Sequence, residues 1–160
     1  GPMFETAAIL MYLAERHAGL APAQGSADRA AFLKWYFYTV TNLHAPLMQV
    51  FYPERVAGAD CAAAVVAHQG AKLQEHFAIL DQMVARDAPE WLSAKPSIFS
   101  FYVGVLVRWL SGFPAGHPAR ITTADLPALG PILAQLETCP AAQDVAKAEG
   151  CAPTIFTAAY

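Results

Sequence analysis

Apolar and polar positions along this chain recur at intervals of three and four residues, which is the period of a helix. The longest such segment is residues 32–52, FLKWYFYTVTNLHAPLMQVFY. Two apolar stripes run along it, one made of Phe32, Tyr36, Thr39, Leu43 and Leu47, and the other of Trp35, Tyr38, Asn42, Ala45 and Met48. Two stripes predict a helix that is buried on more than one side. Pro46 removes a backbone donor, so we expect a kink or a break there.

The rest of the chain adds further helical segments and no strand pattern. We expect helices at residues 5–17, 60–87, 98–110, 126–137 and 141–149. Asp28, Asp60 and Ser97 are the expected N-caps of the segments that follow them. The 98–110 helix is apolar on all sides, which predicts a central buried position. The fold class is all-α.

Gly104, inside that central helix, lowers helix propensity by about 1 kcal/mol relative to alanine. A close helix–helix approach would explain it. Residues 153–160 lack a periodic pattern, and we interpret them as a tail. Gly1-Pro2 resembles a tag-cleavage remnant, and we expect the natural chain to begin at Met3.

Composition changes this picture in one respect. Apolar residues make up 56 % of the chain and charged residues 14 %, and the mean hydropathy is +0.31. A typical domain has a charged share of roughly 25 %. The excess of apolar residues predicts either a large core or an apolar surface that another chain covers.

Charge and cysteine content exclude several classes of function. The net charge is −3 and the pI about 5.9, so no nucleic-acid partner is expected. The apolar run at 98–107 is too short for a bilayer, which requires about 20 residues.

The chain has three cysteines, an odd number, and they are widely spaced: Cys61, Cys139 and Cys151. No signal peptide is visible. We expect a cytoplasmic protein with reduced thiols, the alternative being a reactive thiol at Cys139 or Cys151. No histidine, cysteine or carboxylate set has metal spacing, so no metal is expected.

Several segments, in order, resemble one known family. Residues 5–14 resemble the pattern ESxAIxxYLA, residues 51–55 read FYPER, residues 91–109 contain WL, PSI and RW, and residues 140–150 read PAAQDVAKAEG. Together they resemble the C-terminal helical domain of glutathione transferases, closest to the bacterial beta class. The likeness implies a helical bundle at residues 27–152, preceded by the remnant last helix of a thioredoxin-like domain at residues 3–20. It also implies that most of that glutathione-activating domain is absent from the chain.

The resemblance implies a candidate site. Glu5 and Thr6 match the Glu-Ser pair that holds the γ-glutamyl end of glutathione, and an ordinary helix start is the alternative. His44 matches the histidine that faces glutathione from the helical domain. A neutral imidazole can donate to a thiolate or act as a base near pH 7. The alternative for His44 is a bond to a carbonyl freed by the proline kink.

Three departures weaken the match. Phe37 stands where the beta class has Asn, Ala45 where it often has Lys, and Ser100 where the family's capping box has Asp. The first two remove polar contacts to the thiol site. A hydrophobic pocket is a further candidate, lined by Phe37, Tyr38, Asn42 and Trp109; a role in the core or in an interface is the alternative for these residues.

Three functions stay open. The first is a binding or interaction module that does not transfer glutathione alone and whose exposed face is covered by a second copy or by a separate thioredoxin-like chain. The second is a glutathione-independent isomerase, lyase or cyclase that acts on a small apolar substrate with His44 as acid/base. The third is a fragment of an active glutathione transferase. Glutathione is a possible ligand, and no other cofactor is expected.

Overall fold

The structure, a computed structural model, describes residues 1–151 and 153–158. Its α-helices are α1 Thr6–Arg16, α2 Arg29–Thr39, α3 Ala45–Phe51, α4 Glu54–Ala57, α5 Ala62–Asp87, α6 Ile98–Ser111, α7 Leu129–Leu136 and α8 Pro140–Ala148. Three short 3₁₀ turns connect them, at Ala59–Cys61, Glu90–Leu92 and Thr123–Asp125. The described residues contain no strand, which confirms the all-α class. No helix among them is both long and apolar enough to cross a membrane.

A π-helical turn divides the long aromatic helix that the sequence predicts. It spans Val40–His44, between α2 and α3, and its backbone stays helical on both sides. The amide of Ala45 donates to the carbonyl of Val40, which is the wider spacing of a π turn. Pro46 follows in the first turn of α3, where a missing donor is tolerated. The predicted departure from a regular helix near Pro46 takes the form of this π turn, and the backbone is not broken into two separate helices. Single π turns of this kind are frequent at functional sites.

The core lies where the first predicted stripe meets α6. Phe32, Tyr36, Leu43 and Leu47 are completely buried. The ring of Tyr36 lies 5.6 Å from that of Phe99 on α6, and Phe99 stacks at 5.5 Å on Trp91. The central position predicted for the 98–110 helix is confirmed, since most of α6 is buried.

The second stripe is less buried than the sequence predicts. Trp35, Tyr38 and Asn42 are partly buried, whereas Ala45 and Met48 are exposed. The prediction of burial on more than one side is wrong for the α3 half, where the described residues leave the second stripe uncovered.

Only one of the three predicted side-chain caps forms. Ser97 accepts a hydrogen bond from the amide of Ser100 at 3.0 Å and so caps α6. The Ser100 hydroxyl donates to the carbonyl of Ser93 at 2.8 Å. Asp28 precedes α2 without a side-chain cap bond, and Asp60 lies inside a 3₁₀ turn that precedes α5. Those two cap predictions are wrong.

The end of the chain, predicted to be a tail, packs into the core. Ile155 and Phe156 are buried, and the Glu137 carboxylate accepts from the amides of Phe156 at 2.9 Å and Thr157 at 3.1 Å. A Cβ at Gly104 would lie 2.9 Å from the Phe156 ring. The close approach at Gly104 is therefore to this ring, and the predicted helix–helix contact is wrong. Residues 152, 159 and 160 lie outside the described residues.

Adding a methyl group at Gly104 tests this contact. We expect Gly104→Ala to lower the free energy of unfolding by about 1–2 kcal/mol, because overpacking exceeds the gain in helix propensity. Urea unfolding measures the change. Phe156→Leu, which replaces the ring, serves as the second arm of a double-mutant cycle. A Gly104→Ala penalty of the same size in the Phe156→Leu background would contradict the contact.

Thr39, the last residue of α2, has a hydroxyl that is buried without a hydrogen-bond partner among the described residues. A buried unsatisfied group destabilises the folded state. We expect Thr39→Val to raise the free energy of unfolding by about 1 kcal/mol. Thr39→Ser keeps the hydroxyl and loses a methyl group, so it is expected to lower stability by about 1 kcal/mol. Thermal or urea unfolding of both variants checks the assignment, and a destabilised Thr39→Val would overturn it.

Candidate functional site

His44 ends the π turn and reaches α6. Its Nδ1 atom lies 2.6 Å from the hydroxyl of Tyr102, and the two rings meet edge to face with centroids 5.5 Å apart. Trp109, two turns further along α6, places its ring 6.1 Å from the imidazole. Residues at this spacing share a helix face, so Tyr102 and Trp109 flank His44 from one side.

The N-terminus of α1 approaches the same place. The Tyr36 hydroxyl donates to the carbonyl of Ala7 at 2.9 Å and ties α1 to α2. Glu5 precedes α1 with φ of 70°, which is unusual for a residue other than glycine. Its carboxylate is close enough to act electrostatically on both His44 and Tyr102. Strained backbone of this kind is found at functional sites.

Burial controls the protonation of the pair. It lowers the pKa of His44 below the ordinary value of 6.5, and the Glu5 carboxylate opposes this shift. Burial also raises the pKa of Tyr102, with a further rise from Glu5. At neutral pH a neutral imidazole consequently meets a protonated phenol.

Aromatic rings continue outward from this pair. The Phe51 ring lies 6.3 Å from that of Trp109 and stacks at 5.3 Å on Phe113. The exposed fractions of Trp109 and Phe51 are 37 % and 39 %. We call the surface formed by Glu5, His44, Phe51, Tyr102 and Trp109 the His44 face.

The structure does not bring the four predicted pocket residues together. Trp109 belongs to the His44 face. The Tyr38 hydroxyl instead lies 2.6 Å from Nδ1 of His76 on α5. Asn42 donates to the Tyr38 carbonyl at 3.1 Å, one turn back along its own helix. Phe37 is 55 % exposed and meets the edge of the Tyr36 ring.

Thr6, the first residue of α1, is exposed, and its hydroxyl has no hydrogen bond to the described residues. It lies next to Glu5 in the chain, as the family pattern requires. Tyr102 is not among the predicted site residues, because its pairing with His44 joins residues 58 positions apart. The aromatic pair Tyr102 and Trp109 on one face of α6 was the available signal.

Two clefts lie elsewhere on the molecule. One, of about 200 Å³, separates the loop after α1 from the segment before α6 and is lined in part by Trp91 and Ser97. The other, of about 460 Å³, lies beside the end of α1 and is lined in part by Arg16 and Arg29. His44 lines neither cleft. The part of the chain that the structure describes has no cluster of histidine, cysteine and carboxylate side chains suited to a metal ion.

The cysteines are separate from the His44 face. All three are free thiols; Cys61 is exposed, and Cys139 and Cys151 are partly buried. A guanidinium nitrogen of Arg108 donates to Sγ of Cys151 at 3.2 Å. No contact with His44 involves a cysteine in the described ranges.

No protein-family model, curated protein or solved structure matches the chain. The resemblance of residues 5–150 to glutathione transferases stays a prediction.

The lowered pKa of His44 predicts a pH dependence of stability. The unfolded state binds this proton more readily than the folded state, so the free energy of unfolding falls as the pH drops below about 6.5. We expect His44→Gln, which can still accept from Tyr102 and does not titrate, to reduce this slope. Urea unfolding between pH 5 and 8, the range around about 6.5, measures it.

The matched control is His68→Gln, at an exposed position on α5. It reports the contribution of a histidine outside the site. An unchanged acid slope in His44→Gln would contradict the assignment.

Proposed function

We propose that this chain is a glutathione-transferase-like helical domain that acts as a binding module, and that a small apolar ligand or a partner protein occupies the His44 face. One observation carries the proposal. A partly exposed histidine, held by a buried tyrosine, lies beside the exposed aromatic rings of Trp109 and Phe51. Ligand sites combine apolar walls with a few fixed polar groups in this way.

Further exposed apolar side chains support an interaction role. On α1 and before it they are Met3, Phe4, Ile9, Tyr12 and Leu13. Large exposed apolar patches mark interaction sites in soluble proteins. His44 lines neither of the two clefts described above, and a second surface over the exposed rings of Trp109 and Phe51 would enclose a ligand there. A second copy of the chain, or a thioredoxin-like chain, is the proposed source of that surface.

Glutathione is a weaker candidate ligand. Glu5 offers a carboxylate for an ammonium group, and Thr6 offers a hydroxyl at the start of α1. The described residues contain no strand, so they supply only this part of the glutathione site that the resemblance implies. The proposed module therefore binds without requiring glutathione.

A second candidate is a glutathione-independent enzyme on a small apolar substrate, with His44 as acid/base. The observation that favours it is the neutral imidazole in a partly buried position, since a lowered pKa suits proton transfer near neutral pH. The third hypothesis, a fragment of an active transferase, requires that activity return when a thioredoxin-like domain is supplied.

The uncharged fluorescent dye Nile red tests the binding proposal. We expect Trp109→Ala to weaken dye binding at least about fivefold, because a partly exposed tryptophan contributes strongly to contacts of this type. Val145→Ala, at an exposed apolar position on α8, is the matched control and should bind as the wild type does. Fluorescence titration measures both.

Equal weakening in the two variants, or none in Trp109→Ala, would contradict the proposal. Calorimetric titration with glutathione, on the wild type and on Glu5→Gln, separates the ligand classes. Binding of glutathione that Glu5→Gln abolishes would replace the glutathione-independent module with a glutathione site.

A further inference from the structure

We infer that Tyr102 is a positioning residue that holds His44 in the tautomer with its proton on Nε2, so that the His44 face binds neutral ligands through a hydrogen-bond acceptor such as a carbonyl oxygen. This inference rests on the proposed function, because it specifies the ligand class of the same site.

The tautomer follows from the partners of the Tyr102 hydroxyl. Tyr102 is buried, and within the described chain its hydroxyl has the single hydrogen-bond partner Nδ1 of His44, at 2.6 Å. If Nδ1 carried the proton, the phenol proton would have no acceptor in a buried position, which is unfavourable. The phenol therefore donates, and Nδ1 accepts.

The proton of the neutral ring is then on Nε2, which faces away from Tyr102. Nε2 has no hydrogen-bond partner among the described residues. Among the described residues, the buried side-chain atom without a hydrogen-bond partner is Thr39 Oγ1, so Nε2 of His44 is not fully buried. Nε2–H is consequently a donor that solvent or a ligand can reach. The directions of the pKa shifts agree, since burial disfavours the imidazolium and keeps the phenol protonated.

The surroundings of the donor limit its ligand. The charged group that acts on His44 is the Glu5 carboxylate of α1, and it disfavours anions. The aromatic rings that meet the imidazole, among the described residues, are those of Tyr102 and Trp109 of α6. An ammonium group cannot accept from Nε2–H. A neutral acceptor on an apolar or aromatic skeleton satisfies both the donor and the neighbouring rings of Trp109 and Phe51.

The same arrangement argues against His44 as a base toward a ligand. Nδ1 is occupied by the tyrosine, and Nε2 already carries a proton. Removing a proton from a substrate at Nε2 would first require the proton of the ring to move to Nδ1, which reverses the hydrogen bond to Tyr102 and leaves the buried phenol proton without an acceptor. The site is arranged to polarise an acceptor.

Nitrogen NMR of the histidine side chains tests the tautomer in the free protein. At pH values above the pKa of His44, we expect a protonated Nε2 and an unprotonated, hydrogen-bonded Nδ1. Tyr102→Phe, which keeps the ring in the core, should remove the hydrogen-bond shift of Nδ1 and produce a mixture of tautomers. His76, which meets Tyr38 in a similar pair, provides an internal control that Tyr102→Phe should leave unchanged. A protonated Nδ1 in the wild type would overturn the inference.

Acetophenone and ethylbenzene, which differ in the carbonyl group, test the ligand class. We expect acetophenone to bind about two- to tenfold more tightly, which corresponds to the net contribution of one hydrogen bond. Tyr102→Phe should reduce this preference, because the proton of the neutral imidazole is then no longer held on Nε2. Benzoate should bind more weakly than acetophenone to the wild type, and Glu5→Gln should lessen that difference.

The outcomes separate the two proposals. Equal binding of acetophenone and ethylbenzene would overturn the ligand class and leave the binding module intact. Failure of both compounds, together with dye binding that does not depend on Trp109, would overturn the binding module and the ligand class together.

Discussion

The burial of one aromatic stripe against α6 organises the molecule. Phe32 and Tyr36 from α2 meet Phe99 and Tyr102 of α6 through direct ring contacts. Each buried aromatic side chain contributes a large apolar area, and edge-to-face pairs add about 0.5–1.5 kcal/mol beyond that area. The same stripe fixes α1, because the Tyr36 hydroxyl binds the carbonyl of Ala7. This contact therefore positions Tyr102 and the start of α1, which both border the His44 face.

The π turn links this core to the candidate site. A regular helix through residues 40–44 would rotate the positions that follow it relative to the buried stripe. The inserted turn keeps Leu43 and Leu47 buried while His44 reaches Tyr102. The hydroxyl of Thr39, which is buried without a hydrogen-bond partner among the described residues, lies at the start of this turn.

Periodicity predicted most of the helices and the buried stripe, because apolar spacing reports directly on burial. It failed where a non-local contact decides the structure. Phe156 fills the space beside Gly104 although its segment has no periodic pattern. Asp28 has helical backbone directly before α2, and Asp60 lies inside a 3₁₀ turn, so neither side chain caps a helix. At the candidate site, the sequence predicts both His44 and Trp109, and their rings are in contact. Tyr38, which is also predicted there, is hydrogen-bonded to His76 on α5 instead. The pairing of His44 with Tyr102 depends on how two helices pack, and no local pattern encodes it.

The most direct test of the central claim is amide and side-chain chemical-shift mapping during titration with acetophenone. We expect the largest shifts on His44, Tyr102 and the indole N–H of Trp109, with little change in α7 and α8. Largest shifts around Trp91 and Ser97, in the cleft before α6, would contradict the claim that the His44 face is the binding site.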